Sequence, residues 1–167
     1  MSCRPARAAL LVLLVLSACS KSSPGPADPG GERVCTQIGC VNGLRLTLVK
    51  ATPWTAGEYV FTVDLDGASV TCKGALPLKA CDQGSALTCD VEDKVMIGES
   101  GCALPVEQHG FSDIQIFGTP ARVNLTIARD GQPLHSGELT PTYVSSRPNG
   151  PDCEPECHGA GTEIALP

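Results

Sequence analysis

Two stretches of this chain alternate apolar and polar residues and then break at Asp-Gly, a combination that admits little besides an antiparallel β-hairpin. In residues 58–73, EYVFTVDLDGASVTCK, the side chains of Tyr59, Phe61, Val63 and Leu65 fall on one face before Asp66-Gly67. A two-residue type I′ turn needs positive φ at both central positions, which Asp-Gly supplies, and its twist matches that of the flanking strands. The register that follows sets Leu65 opposite Ala68, Val63 opposite Val70 and Phe61 opposite Cys72, with one face half-buried. Residues 121–139, ARVNLTIARDGQPLHSGEL, repeat the device around Asp130-Gly131 with Val123, Leu125 and Ile127. Here Ile127 is expected to face Leu134. Pro133 in the return strand lacks an N–H and implies an edge strand or a bulge.

Further strand candidates lie at residues 43–49, where Leu44, Leu46 and Leu48 alternate, and at 95–97, 114–117, 142–145 and 163–166. Pro and Gly punctuate the intervals, and no stretch carries helical periodicity. About seven or eight short strands predict an all-β, disulfide-braced sandwich of immunoglobulin-like or fibronectin-like general shape. A partly open barrel is the alternative.

The chain opens MSCRPARAALLVLLVLSACS, with Arg4 and Arg7 ahead of an apolar run from Ala8 to Leu16 and then small residues. That is the layout of a secretory signal; a spanning helix needs about 20 apolar residues. The junction Leu16-Ser17-Ala18-Cys19 resembles the lipobox of bacterial lipoprotein precursors. The resemblance implies cleavage before Cys19, a diacylglycerol thioether on its sulfur, acylation of the new amino group, and outer-membrane sorting because Ser20 rather than Asp follows. Lipid membrane reached through acylated Cys19 is thus the partner it implies, since two or three acyl chains anchor stably where one is marginal. The mature domain resembles cysteine-rich bacterial envelope lipoproteins of no assigned activity. Residues 20–33, SKSSPGPADPGGER, hold almost no apolar side chains and read as a tether. The expected organisation is therefore signal peptide 1–18, lipidated Cys19 with tether 19–33, and one domain at 34–167.

Of ten cysteines, Cys3 leaves with the signal and Cys19 takes the lipid. Cys35, Cys40, Cys72, Cys81, Cys89, Cys102, Cys153 and Cys157 remain, an even number that reads as four disulfides in an exported protein. Eight cysteines allow on the order of a hundred pairings, so the connectivity stays open. Their spacing suggests a terminal group (35, 40, 153, 157) and a central group (72, 81, 89, 102). Cross-links matter here because aromatic residues make up only 4% of the chain. Without residues 1–18 the chain keeps ten basic and eighteen acidic residues, a formal −8. That acidity disfavours nucleic acid as a partner.

No catalytic, metal or cofactor motif stands out. Cys153-Glu154-Pro155-Glu156-Cys157-His158 is similar to a haem-attachment motif but has three intervening residues instead of two. Zinc on these cysteines with Cys35 and Cys40 would need free thiolates in an oxidising compartment. A disulfide-locked loop after the turn signal Asn149-Gly150-Pro151 is the expectation. Gln108-His109-Gly110-Phe111-Ser112-Asp113 contains all three triad residue types, yet triads assemble across a fold and no G-x-S-x-G elbow is present. His109 and the other mature-chain histidines, His135 and His158, are expected on the surface. Asp64, Asp66, Asp90 and Asp93 lack the spacing of a calcium loop and are expected to cap backbone. The functional expectation is a lipid-anchored, non-enzymatic envelope domain that binds a protein or glycan or serves as a structural accessory. An envelope hydrolase or redox accessory is the alternative.

Overall fold

The computed structural model describes residues 34–167; the expected signal peptide, Cys19 and the tether lie outside them. Ten strands follow in chain order: β1 (Gly43–Lys50), β2 (Gly57–Leu65), β3 (Ala68–Leu76), β4 (Leu87–Cys89) and β5 (Val95–Ser100) form the first half. The second half is β6 (Gly110–Phe117), β7 (Val123–Arg129), β8 (Gln132–Leu139), β9 (Val144–Ser146) and β10 (Cys157–Leu166). They make two five-stranded sheets, ordered β5-β6-β1-β10-β9 and β4-β3-β2-β7-β8. Neither sheet closes on itself, so the fold is the expected disulfide-braced all-β sandwich and not the barrel. Among the described residues the helical content is two 3-10 turns, Cys81–Gln83 and Val106–Gln108.

The first hairpin has the register its sequence dictates: Leu65 pairs with Ala68, Val63 with Val70 and Phe61 with Cys72. Asp66 and Gly67 both take positive φ, 53° and 94°, as a type I′ turn demands. The second hairpin turns likewise at Asp130 and Gly131, with φ of 50° and 77°. Its register departs from expectation beyond the turn. Ala128 pairs with Pro133, but Ile127 pairs with His135 and not with Leu134. The extra residue is a β-bulge, the local solution that Pro133 favours because it cannot donate to the ladder. As Pro133 also implied, β8 is an edge strand.

Packing explains the strands that local pattern missed. β4 is only three residues long, held opposite β3 where Cys72 faces Cys89. β6 starts earlier than its apolar run because a register shift at Gly98/Glu99 brings Phe111 and Ile114 both into the core, three positions apart. β10 begins in a glycine-rich stretch that no alternation marks. Between the sheets, Phe61, Val63, Leu125 and Ile127 meet Leu46, Ile114 and Ile116, all fully buried. One face of each strand contributes, as period-2 geometry requires.

β1 and β10, the first and last strands, run parallel from Gly43 opposite Gly159 to Lys50 opposite Leu166. Two disulfides join the segments leading into them: Cys35–Cys153 and Cys40–Cys157, with Cα atoms 5.9 and 6.0 Å apart. The others are Cys72–Cys89 and Cys81–Cys102. The pairing respects the terminal and central groups, and the expected disulfide-locked loop is present. Asn149, buried in that loop, accepts from Thr36 Oγ1 and the Ile38 N–H and donates to the carbonyls of Ile38 and Glu154. Its four bonds hold the leading segment against the loop.

The two terminal disulfides span nearly the same loop, 118 and 117 residues. Once one is closed, the other closes a ring of only about ten residues, which chain entropy values at about 3 kcal/mol instead of nearly 5. Replacing either pair by alanine is therefore expected to cost about 3 kcal/mol, and replacing both about 7 to 8, on the scale of the whole net stability. Urea unfolding followed by circular dichroism checks this; costs that simply add would refute the shared-loop account.

Candidate functional site

The residues that suggested catalysis do not assemble. His109 is buried, contrary to the surface position expected, and both ring nitrogens are used: Nδ1 accepts the Leu78 N–H at 3.0 Å and Nε2 donates to the Leu104 carbonyl at 3.0 Å. Only the neutral tautomer with hydrogen on Nε2 satisfies both partners. Its environment overrode the expectation because two loops need a donor and an acceptor between them. Ser112 Oγ donates to Asp113 Oδ1 at 2.6 Å, and Arg45 pairs with Asp113 Oδ2 at 3.0 Å, so neither residue addresses His109. His135 is half-buried on β8, and its Nε2 is enclosed without a hydrogen-bond partner among the described residues.

His158 is exposed and lies 3.0 Å from Ser145 Oγ on the neighbouring β9. Glu156 adjoins this pair, its carboxyl held below the usual carboxylate range by the hydrogen bond from Arg147 first and by that from Ser145 second. Serine is therefore shared between acid and imidazole, whereas a triad requires the acid to orient the imidazole. Nearby, burial and then the charge of Asp66 raise the Tyr143 phenol, which donates to the Pro120 carbonyl.

The acidic residues act on backbone. Asp64 accepts the Gly67 N–H, Asp66 accepts those of Ala121 and Arg122, and Asp90 accepts that of Thr71. Among the described residues no three His, Cys, Asp or Glu side chains gather as a metal set.

What the fold does build is a cleft. The leading segment enters at the pole of the sandwich where Gly43, Phe117 and Gly159 lie side by side. At the opposite pole, about 25 Å along β1, a cavity of about 460 Å³ opens between Pro53, Trp54, Ala56, Leu76, Pro77, Val106 and Glu107. That volume is within the range of small-ligand sites. Trp54 is its floor, edge-on to Tyr59 and Phe111 with centroids 5.5 and 5.1 Å away. Tyr59 donates its hydroxyl to the Thr55 carbonyl at 2.7 Å, fixing the loop that carries the indole. Gly110 is required beneath it, since a Cβ there would overlap Trp54 Cδ1 and Nε1.

Three braces hold the walls. His109 joins the loop after β3 to the loop before β6 through Leu78 and Leu104. Cys81–Cys102 joins the same two loops covalently. Glu99 Oε1 accepts from Ser85 Oγ at 2.7 Å, the Ala86 N–H at 2.8 Å and the Leu87 N–H at 3.1 Å. Such fixation reduces the entropy lost when a ligand is bound. Three polar groups of the lining residues remain unspent among the described residues: Trp54 Nε1 donates to no protein atom, and the exposed Thr55 hydroxyl and Glu107 carboxylate have no ion pair or hydrogen bond. Sequence reading missed this cleft because its residues come from three separated loops. The lone tryptophan between Pro53 and Thr55 was the available signal.

No known protein family, curated protein or solved structure matches this chain.

His109→Ala would leave the Leu78 N–H and the Leu104 carbonyl without partners. An orphaned buried group costs about 1 to 3 kcal/mol, so for two of them a loss of about 2 to 6 kcal/mol is expected in chemical denaturation. His109→Gln, which keeps one donor and one acceptor, should recover part of it. A His109→Ala variant as stable as the parent would remove the brace from this account.

Proposed function

We propose that the protein is a lipoprotein of the bacterial cell envelope, held at the outer membrane by acylated Cys19, whose non-enzymatic sandwich binds a partner through the Trp54 cleft. One observation carries the binding part: a braced cleft of about 460 Å³ whose wall is largely apolar and whose lining residues Trp54, Thr55 and Glu107 keep side-chain polar groups that no protein atom uses among the described residues.

The anchoring part rests on the charged start, short apolar run and lipobox at residues 1–19. Residues 20–33, polar and rich in Pro, Gly and Ser, have the composition of a tether.

The test of anchoring is intact-mass measurement on protein extracted from membranes. The expected mass corresponds to a chain starting at Cys19, carrying diacylglycerol on its sulfur and an acyl chain on its amino group, and lacking eight hydrogens for four disulfides. Cys19→Ser should pass from the membrane to the aqueous fraction. Full-length chains with unmodified Cys19, or a Cys19→Ser variant still wholly membrane-bound, would overturn the anchor. Binding is tested by replacing Val106 with a photo-crosslinking residue: specific adducts in the envelope are expected, and their complete absence counts against the reading.

A further inference from the structure

We infer that the Trp54 cleft takes an extended, proline-containing peptide segment with a basic side chain, supplied by a partner protein. The inference rests on the binding reading above and goes on to name the ligand chemistry.

Wall composition comes first. Pro53, Trp54, Leu76, Pro77 and Val106 offer rigid apolar surface with few polar groups. A glycan ring would bring hydroxyls on every side, each losing its water, to a wall whose polar side chains are Trp54, Thr55 and Glu107 alone; an unmatched buried hydroxyl costs about 1 to 3 kcal/mol. A polyproline-type segment brings apolar rings and carbonyl oxygens that lack any intramolecular hydrogen bond. Aromatic-lined grooves recognise such segments because they are extended before binding and lose little entropy on docking. An indole N–H that makes no bond within the protein is the donor such a carbonyl needs.

Charge then selects the flanking residue. Glu107 stands at the rim without a cation. Lys50, the cation near the indole at 6.0 Å from the ring centroid, is tied to Thr52 Oγ1 and the Pro167 carbonyl. The surrounding chain is acidic, with ten basic and eighteen acidic residues beyond position 18. An arginine or lysine beside the prolines complements Glu107 locally and the domain at long range.

The other candidate surfaces are already committed or shallow. Near the entry pole, a wide depression is lined by Pro141, Tyr143 and His158, whose hydroxyl and imidazole are bonded to Pro120 and Ser145. A second cleft of about 410 Å³, with Phe117, Lys94 and Asp66, has its acid spent on Ala121 and Arg122.

Trp54 is the chain's single tryptophan, so its emission reports on the cleft alone. The disulfide-intact domain is titrated with a short synthetic peptide of alternating proline and alanine carrying one arginine, and with the same peptide carrying glutamine instead. A saturable change in Trp54 emission is expected for both, with the glutamine peptide about fivefold weaker, the size of a partly exposed ion pair. The Glu107→Gln protein should bind the two peptides equally, a loss of discrimination that a merely structural Glu107 would not produce. Trp54→Phe, which keeps the ring packing and lacks the N–H, should weaken binding of a fluorescently labelled arginine peptide while its circular dichroism stays unchanged.

If neither peptide alters Trp54 emission, the peptide assignment is overturned. If an N-acetylglucosamine oligomer alters it instead, the cleft binds glycan and only the ligand class fails. If no probe acts and photo-crosslinking from Val106 captures nothing, the binding reading fails with it.

Discussion

The parallel pairing of β1 with β10 is the interaction from which the rest of the architecture follows. Adjacent parallel strands cannot be joined by a tight turn and need a crossover. Here the crossover is the whole intervening domain, from Lys50 to Cys157. Closing so long a loop is entropically costly, and the weak logarithmic dependence on length makes the cost tolerable but not negligible. Two disulfides and the four bonds of Asn149 gather where this closure occurs, at the start of both strands. With β1 fixed between β10 and β6, the core-facing leucines 44, 46 and 48 point at the second sheet, and the sandwich has a single interior.

Rigidity is not spread evenly. The entry pole is held by the long-range cross-links, whereas the opposite pole is held by local ones: Cys81–Cys102, His109 and the Glu99 carboxylate all lie within the stretch from Leu78 to His109. Connecting loops such as those after β3 and before β6 are ordinarily the mobile parts of a sandwich. Holding them by a covalent bond, a two-ended imidazole and a triply bonded carboxylate converts connecting segments into walls. The aromatic group of Trp54, Tyr59, Phe61 and Phe111 gives those walls a floor continuous with the core.

Much of the fold was legible because its determinants are local. Asp66-Gly67 sets a register that nine successive pairs then obey, from Leu65/Ala68 to Gly57/Leu76. The grouping of the cysteines was legible for a related reason: residues near both ends of a compact sandwich come together. What escaped depended on partners remote in sequence. His109 reads as a polar surface residue until Leu78 and Leu104 are seen to need it. The three-residue β4 exists because Cys89 is bonded to Cys72, and no pattern so short could announce it. The Leu134 bulge followed from a proline whose effect on pairing was foreseen in kind but not in register. The cleft was least legible, since it joins loops around positions 54, 77 and 106.

The irregularity of β8 has a consequence for contact with other chains. An edge strand with unbroken pairing groups is a template for another chain. The extra residue beside Pro133 twists this edge out of the flat geometry that a neighbouring chain would need. The break in the ladder that displaced Leu134 thus serves as insulation against edge-to-edge pairing.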